Sequence, residues 1–307
     1  MSKALEFKSV YKEFNNNYVL EDVSFTVFKN DIFGFLGPNG AGKTTTIRLV
    51  LDLLKSTKGE ILINECKHTN FNIRKNIGFC LDNDGLYENM SAYDNLEFFD
   101  RLYNLNAKRN ERINNVLNKV KLNDFSKMKV LEFSKGMKKR LGLARALIIN
   151  PKFLVLDEPL SGLDPSGQKL LKEIIKDLSK EVTIFFSSHN LNDVEDICNR
   201  VAILNKKIII CDEVDKLKNN KGKKITIKVK NGKDIILKNS SFLKNINGIN
   251  KLSIEDNILE IFYDDKIEFN NIISNIMKCN LNIEDIQQKH TSLQDIYFSL
   301  IGGNKNG

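Results

Sequence analysis

Residues 37–44 read GPNGAGKT and fit the pattern G-x-x-x-x-G-K-[ST]. The glycines allow the backbone to curl so that successive N–H groups point inward at phosphate oxygens. The lysine supplies a point charge for the β and γ phosphates, and the hydroxyl that follows it can bind Mg²⁺. The motif predicts a nucleotide site formed by Gly37, Pro38, Asn39, Gly40, Ala41, Gly42, Lys43, Thr44 and Thr45.

A second candidate for chemistry is the apolar run at residues 153–156, which ends in Asp157 and Glu158. Ligands of open α/β sheets bind at the carboxyl ends of the strands. Because neighbouring residues on a strand point in opposite directions, Asp157 can face a Mg²⁺ ion while Glu158 reaches a water in line with the γ phosphate. We therefore predict Thr44 and Asp157 as metal ligands and Glu158 as a catalytic residue.

These residues need a sheet with parallel strands to bring them together. Short apolar runs predict such strands at residues 32–36, 77–81, 153–157, 182–187 and 201–205. Helical patterns alternate with them at residues 43–54, 135–149, 166–180 and 190–198. The alternation indicates βαβ units, preceded by strands at 5–10 and 18–27 and interrupted by an inserted helical subdomain at about 85–150.

The pattern changes after residue 215. Shorter strands are predicted at residues 224–230, 234–238 and 258–262, with helices at 267–277 and 292–301. We predict a first domain at residues 1–215, a linker at 216–222 and a small α+β domain at 223–307.

Composition excludes several classes of protein. Apolar runs fall far short of the roughly 18 to 20 residues needed to span a bilayer, and residues 1–7 do not resemble a secretory signal. The chain is therefore expected to stay in the cytoplasm. The 5 cysteines are scattered and never form C-x-x-C, which argues against a disulfide framework and a zinc site.

The net charge of +8 is concentrated in one stretch. Residues 216–230 contain seven lysines and no acidic residue. At residues 224–230 the lysines alternate with Ile and Val, which predicts a strand whose lysines face water and protect an exposed sheet edge. An anionic membrane surface and a nucleic acid remain alternative partners for this stretch.

Residues 133–137, FSKGM, resemble the signature motif of ATP-binding cassette (ABC) ATPases. The resemblance extends over about residues 3–212, in the order phosphate loop, signature, carboxylate-ending strand, SGLD at 161–164 and SSH at 187–189. It implies an α/β ABC ATPase core with an antiparallel β subdomain and an inserted helical subdomain. It also implies two ATP molecules sandwiched between two copies of the chain.

Roles for individual residues follow from the resemblance. Ser134 and Gly136 would form a cap on the ATP held by the other copy, and Asp164 would bridge the two copies. His189 would contact the γ phosphate and help hold Glu158. Phe14 is expected to stack on the adenine ring, in preference to Tyr11 or Tyr18.

Asp82 departs from the usual ABC pattern, because most members of the family have glutamine there. A carboxylate can bind Mg²⁺ directly or through water, but it donates no hydrogen bonds as an amide does. We therefore predict Asp82 as a metal ligand. An acidic residue here resembles the ATPases of antibiotic and antimicrobial-peptide exporters, including lantibiotic and bacitracin self-protection systems.

The end of the chain, HTSLQDIYFSLIG at residues 290–302, resembles the ending of ATPase subunits that pair with ABC-2 type permeases. Together, these resemblances imply an ATP-hydrolysing exporter subunit with ATP and Mg²⁺ as cofactors. It would form a homodimer and drive a separate permease from the inner face of the membrane, exporting an antibiotic, an antimicrobial peptide or another hydrophobic compound. No direct contact with nucleic acid is expected. A soluble ABC ATPase acting on the ribosome or nucleic acid, and an ABC importer, remain as alternatives.

Overall fold

The computed structural model of the protein describes residues 2–81, 85–105, 107–220, 223–230, 243, 246, 248–263, 267–279, 281–290 and 292–302. The chain divides into two compact units, Met1–Asp212 and Glu213–Gly307. None of the helices in the described part has the length and apolar character needed to span a bilayer. The predicted strand at residues 234–238 and the predicted metal ligand Asp82 lie outside the described residues.

The first unit begins with strands and continues with alternating helices and strands. In chain order its elements are β1 (Lys3–Phe14), β2 (Asn17–Phe28), β3 (Ile32–Leu36), α1 (Lys43–Val50), β4 (Lys58–Ile63), β5 (Cys66–Lys67), α2 (Phe71–Arg74), β6 (Ile77–Cys80), α3 (Ala92–Leu102), α4 (Arg109–Lys119), α5 (Lys135–Leu147), β7 (Phe153–Asp157), α6 (Pro165–Leu178), β8 (Thr183–Ser188), α7 (Leu191–Ile197), β9 (Arg200–Asn205) and β10 (Lys207–Glu213). Two short 3-10 helices, Asn123–Phe125 and Val130–Glu132, lie between α4 and α5.

The central sheet has the strand order β10-β9-β3-β8-β7-β6. Its pairs β9/β3, β3/β8, β8/β7 and β7/β6 are parallel. Every residue of β3, β7 and β8 is buried, as expected for parallel strands that are covered on both faces. Because the strands are parallel, the ends of β3, β7 and β8 meet at one edge, which is the edge predicted to bind the nucleotide.

The second sheet, β2-β1-β4-β5, is antiparallel throughout. Phe25 connects its core to that of the central sheet. The Phe25 ring centroid is 4.6 Å from that of Phe7, 5.6 Å from that of Phe33 and 6.1 Å from that of Phe185. Among the described residues, every named element between β6 and β7 is a helix. The prediction of an α/β core with an antiparallel β subdomain and a helical insertion is confirmed.

Helices α3 and α4 of the insertion are joined through a buried carboxylate. Asp100 on α3 has no solvent exposure. Its carboxylate accepts hydrogen bonds from Nε of Arg109, at 2.9 Å, and from Nε of Arg112, at 2.7 Å. Although burial by itself would raise the pKa of Asp100, the bonds from Arg112 and Arg109 hold that pKa below its ordinary value.

Helix α1 is shorter than the predicted helix at residues 43–54. It ends at Val50, and Asp52 has a left-handed backbone with φ of 56°. The backbone N–H groups of Leu53 and Leu54 both bond to the carbonyl of Arg48, in place of the regular helical pattern. A left-handed residue ends a helix, so the apolar periodicity of the sequence continues past the true end.

The second unit contains α8 (Val214–Asn220), β11 (Lys223–Val229), β12 (Ile249–Glu255), β13 (Ile258–Tyr263), α9 (Phe269–Met277), β14 (Ile283–His290) and α10 (Leu293–Gly302). Its sheet has the order β12-β13-β11-β14, and all neighbours are antiparallel. Helix α8 covers much of the segment predicted as a linker. The difference arises because Val214 and Leu217 are buried, whereas a linker exposes its side chains.

The prediction that the lysines of residues 224–230 protect an exposed edge is wrong. Strand β11 pairs with β13 on one side and β14 on the other, so it is an interior strand. The ammonium group of Lys224 lies 2.6 Å from Glu260 and 3.0 Å from Asp295. Lys228 lies 3.0 Å from Glu284. Carboxylates distant in the sequence therefore offset part of the charge.

The chain ending that resembles permease-associated ATPases begins helix α10. Ser292 and Asp295 form a reciprocal cap, in which the Asp295 N–H donates to Oγ of Ser292 and the Ser292 N–H donates to the Asp295 carboxylate. The same carboxylate pairs with Lys224. These two residues of the ending thus have a structural role within the second unit.

Candidate nucleotide site

The phosphate loop connects the buried strand β3 to helix α1. Gly40 and Gly42 have φ values of 81° and 105°, a region that glycine adopts without steric cost. At Gly42 a Cβ atom would also lie 2.6 Å from Cδ2 of Leu20. Residues 38–40 are exposed, whereas Gly37, Ala41 and Gly42 are buried. Gly42 offers no side-chain cap to the first N–H groups of α1, as befits an anion-binding helix start.

Lys43 is the first residue of α1, and its side chain is only 7% exposed. Its ammonium group donates hydrogen bonds to the carbonyl oxygens of Gly37, at 2.7 Å, and Pro38, at 3.3 Å. It also lies 3.6 Å from Oε1 of Glu158. The loop thus holds this charge at its own centre, next to the carboxylate that follows β7.

The two acidic residues at the end of β7 have different surroundings. Asp157 is buried and accepts a hydrogen bond of 2.6 Å from the hydroxyl of Ser187. Glu158 lies just beyond the strand with φ of 46°, and its N–H donates to the same hydroxyl at 3.0 Å. Ser187 is the first residue of the SSH run at 187–189, for which only His189 has a predicted role. The signal available was its place near the end of the strand that precedes His189.

His189 follows strand β8 and contacts Glu158. Because an ionised carboxylate can only accept, Nδ1–H of His189 donates to Oε2 of Glu158, at 2.8 Å. Helix α7, which begins after His189, is tied to α6 by Lys172, whose ammonium lies 2.8 Å from both Asp193 and Asp196. The structure therefore brings Lys43, Glu158 and His189 into one connected group.

The signature residues form a separate group. Ser134 caps α5, where its Oγ accepts the N–H of Met137 at 3.2 Å. A Cβ on Gly136 would be 3.9 Å from Leu163, so Gly136 lies next to the segment that precedes Asp164. Within the described residues, neither Ser134 nor Asp164 contacts the side chains of Lys43 or Glu158.

Asp164 is the N-cap residue of α6 and is exposed. A hydrogen bond from the hydroxyl of Ser166 holds the pKa of Asp164 below its ordinary value. Its carboxylate is therefore charged at neutral pH and reaches solvent.

Phe14 is the last residue of β1, and 42% of it is exposed. The ammonium group of Lys12 lies 4.5 Å from its ring centroid. Tyr11 and Tyr18 contact each other edge to face, with ring centroids 6.0 Å apart. Of these three candidates for the adenine platform, Phe14 is the most exposed.

The residues predicted to bind Mg²⁺ offer oxygen atoms. Thr44 is exposed on the first turn of α1, and Asp157 ends the neighbouring strand β7. Hydroxyl and carboxylate oxygens are ligands that Mg²⁺ prefers. The described residues contain no cluster of three or more His, Cys, Asp and Glu side chains suited to a metal ion. The donor set thus fits a Mg²⁺ ion that is completed by phosphate oxygens and water rather than enclosed by protein.

The comparisons with known proteins identify the family. A sequence profile described as "ABC transporter" matches residues 20–161. The bacitracin transport ATP-binding protein BcrA of Bacillus licheniformis is 33% identical, and the match covers 100% of both chains. The lantibiotic transport ATP-binding protein SrtF of Streptococcus pyogenes is 37% identical over 213 residues, which are 69% of this chain and 91% of that protein.

A solved structure of an ATP-binding subunit of an ABC transporter is also similar, with 28% identity and a TM-score of 0.63. The match covers 71% of this chain and 92% of the chain in that structure. The predicted family, the ABC ATPase fold and the ATPase activity are confirmed by these matches. The chain belongs to the ATP-binding proteins of ABC transporters, a family of ATPases.

Proposed function

We propose that this chain is the ATP-hydrolysing subunit of an ABC exporter and drives a separate membrane permease. The observation that carries the proposal is the position of the Glu158 carboxylate. It lies 3.6 Å from the ammonium of Lys43 and 2.8 Å from Nδ1 of His189, immediately after strand β7. A carboxylate held beside the phosphate loop in this way can orient and deprotonate a water that attacks the γ phosphate.

Each residue of this group has a distinct role in the proposal. Lys43 exchanges its bonds to loop carbonyls for bonds to the β and γ phosphates, and backbone N–H groups within residues 39–45 bind the same oxygens. Glu158 accepts the proton of the attacking water. His189 donates Nδ1–H to Glu158, which fixes the carboxylate, and presents the rest of its ring to the γ phosphate.

Thr44 and Asp157 would hold Mg²⁺ through their oxygens, and Asp82 is a further predicted ligand outside the described residues. A bound Mg²⁺ supplies positive charge that offsets the charge developing on the phosphates. Ser187 fixes one oxygen of Asp157, at 2.6 Å. The protein thus contributes a small set of oxygen ligands at the strand edge.

The proposed active form is a homodimer with two sandwiched ATP molecules. Ser134 and Gly136 lie at the start of α5, where N–H groups favour an anion, and Lys135 adds a positive charge there. This group has no described contact with Lys43 in the same chain. A second copy that places its signature over the phosphate loop would complete each site, with Asp164 bridging the copies.

An exposed apolar surface at α3 is the basis for proposing a membrane partner. Tyr87 and Phe98 are exposed, with ring centroids 4.8 Å apart, and Leu102 follows Phe98 by one turn of α3. Exposed apolar patches mark sites of association with other proteins. We propose that the permease docks here and holds the subunit at the inner face of the membrane.

The proposed cargo is an antibiotic, an antimicrobial peptide or a similar hydrophobic compound. This proposal is supported by two relatives whose names refer to bacitracin transport and lantibiotic transport. The first match extends over the whole chain and so includes the second unit.

Within the described contacts, Lys224 and Lys228 pair with carboxylates, which supports the expectation that nucleic acid is not a direct partner.

Two substitutions test the proposal. Lys43→Ala should weaken ATP binding, because it removes the charge at the centre of the loop. Glu158→Gln should keep ATP binding and slow hydrolysis roughly 10²- to 10⁴-fold. Because the bound ATP then persists, the Glu158→Gln variant should elute as a dimer with ATP and as a monomer without it in size-exclusion chromatography.

Glu65→Gln is a matched control, because Glu65 is exposed in the turn between β4 and β5. It should retain both the hydrolysis rate and the elution profile of the wild type. A Glu158→Gln variant that remains monomeric with ATP and fully active would refute the assignment of Glu158.

A further inference from the structure

Ser187 lies between the two acidic residues of the site and is completely buried. Its Oγ is 2.6 Å from Oδ1 of Asp157 and 3.0 Å from the backbone nitrogen of Glu158. The hydroxyl of Ser187 donates its single proton to the carboxylate oxygen of Asp157. The lone pairs of the same oxygen then receive the N–H of Glu158. One hydroxyl thus joins both acidic residues.

The backbone of Glu158 needs such a partner. The parallel ladder between β7 and β8 ends with the pair Asp157 and Ser187, so Glu158 lies beyond it. Glu158 also has a left-handed backbone, with φ of 46°, which is disfavoured for residues that carry a Cβ atom. The bond to Ser187 holds this conformation, in which the Glu158 carboxylate contacts Lys43 and His189.

We propose that Ser187 is a positioning residue for ATP hydrolysis. Its hydroxyl fixes the proposed metal ligand Asp157 and the proposed catalytic carboxylate Glu158 relative to each other. Ser187 acts through these two residues and does not contact the nucleotide. The inference rests on the proposed function, because it assumes that Asp157 binds Mg²⁺ and that Glu158 activates water.

A purely structural role is the competing explanation, and strand β8 provides a control for it. Thr183 lies at the other end of β8 and is also buried. Its hydroxyl accepts the backbone N–H of Asn30 at 2.9 Å, away from the acidic residues. Thr183→Val removes a buried hydroxyl from the same strand without altering the site.

The experiment compares the full-length wild type with Ser187→Ala, Ser187→Thr, Ser187→Cys and Thr183→Val. For each protein, kcat and KM for ATP are measured at saturating Mg²⁺, and ATP affinity is measured by calorimetry with Mg²⁺ and with EDTA. Thermal unfolding gives the loss of stability. The ratio of the ATP dissociation constants in EDTA and in Mg²⁺ reports on metal-assisted binding independently of turnover.

Ser187→Ala should lower kcat roughly 10- to 100-fold, the effect of one hydrogen bond to a charged group, with little change in KM. Its ATP affinity in EDTA should equal that of the wild type, whereas the gain in affinity from Mg²⁺ should shrink. Ser187→Thr keeps a hydroxyl and should retain more activity than Ser187→Cys, whose thiol is a weak donor. Thr183→Val should lose stability but keep the wild-type kcat.

The inference fails if Ser187→Ala keeps the wild-type kcat, or if Thr183→Val loses kcat as much as Ser187→Ala does. If Ser187→Ala does not fold, the comparison of threonine with cysteine decides, since equal kcat values for these two variants overturn the role of the hydroxyl. Failure of the proposed function is recognised separately. In that case the wild type itself does not hydrolyse ATP, or Glu158→Gln hydrolyses ATP as fast as the wild type.

Discussion

Phe14 is the most informative single residue outside the group formed by Lys43, Glu158 and His189. Lys12 lies over one face of its ring at 4.5 Å, yet 42% of the residue is exposed. An exposed aromatic ring can stack on a base, which is the role predicted for Phe14. Burial in the core, the alternative use of an aromatic residue, does not apply to a side chain this exposed.

Phe14→Ala should weaken ATP binding by about 1–3 kcal/mol, or roughly 5- to 150-fold, because stacking of a base on an aromatic ring is lost. Phe14→Tyr should bind ATP like the wild type, since a flat ring suffices. The dissociation constants can be measured with a fluorescent ATP analogue.

Tyr18→Ala provides the comparison for this prediction, because Tyr18 is also partly exposed but contacts Tyr11. It should have little effect on the dissociation constant. The reverse outcome, with Tyr18→Ala impaired and Phe14→Ala normal, would move the adenine platform to Tyr18.

At the level of elements, the helical insertion depends on the contact between α3 and α4. Asp100 is fully buried and holds Arg109 and Arg112, which are 28% and 24% exposed. Removal of the Asp100 charge leaves Arg112 without its carboxylate partner and leaves Arg109 only the more distant Glu97, at 3.7 Å. The signature-bearing helix α5 belongs to the same insertion, so this contact also supports the proposed dimer surface.

Asp100→Asn should lower the free energy of unfolding by about 3 kcal/mol, near the lower end of the range for buried ion pairs, because both arginines are partly exposed. Urea denaturation followed by circular dichroism measures the change. Asp124→Asn removes an exposed carboxylate from the same insertion and should stay within about 0.5 kcal/mol of the wild type. An Asp100→Asn variant as stable as the wild type would contradict the structural role.

The pKa of Asp100 also predicts how stability depends on pH. Because the folded-state pKa is lowered, the stabilising contribution of Asp100 is present above the unfolded-state value of about 3.9. It is lost as the pH falls through the folded-state pKa. The difference in unfolding free energy between wild type and Asp100→Asn should therefore be constant near neutral pH and shrink in acid. A difference that grows in acid would show the opposite sign.

For the whole molecule, the main observation is that the residues of the proposed site are confined to one of the two compact units. Every described residue of the proposed site lies in Met1–Asp212. The second unit has a core of its own around Ile225, Ile261 and Ile272. The relative SrtF matches 91% of its own length to 69% of this chain, so a shorter protein of the family exists. We therefore expect that nucleotide binding does not require the second unit.

A chain that ends at Glu213, which keeps strand β10 complete, should bind ATP with the affinity of the full-length protein. The physical reason is that the phosphate loop, Asp157, Glu158 and His189 all pack within the first unit. Isothermal titration calorimetry on both proteins tests this. The full-length Lys43→Ala variant gives the level expected when binding is lost. A folded truncated protein that binds no more ATP than Lys43→Ala would show that the second unit is required.

The phosphate loop, the acidic strand end and the α/β class follow from the amino-acid sequence alone, because these features depend on local spacing and on the periodicity of apolar residues. It also predicted that Glu158 and His189 belong together, through the resemblance to the ABC ATPases. The helix end at Val50 was not predictable from periodicity, since a left-handed Asp52 overrides an apolar pattern that continues.

The contacts between residues that are distant in the chain become known only from the fold. Ser187 meets Asp157 because β7 and β8 are adjacent in the sheet, although 30 positions separate the two residues in the chain. The sequence pattern predicts Lys224 as a solvated edge residue. In the structure β11 is an interior strand, and the ammonium group of Lys224 pairs with Glu260 and Asp295. Local patterns specify the elements, whereas the partners of a buried polar group depend on strand order, which a single sequence does not encode locally.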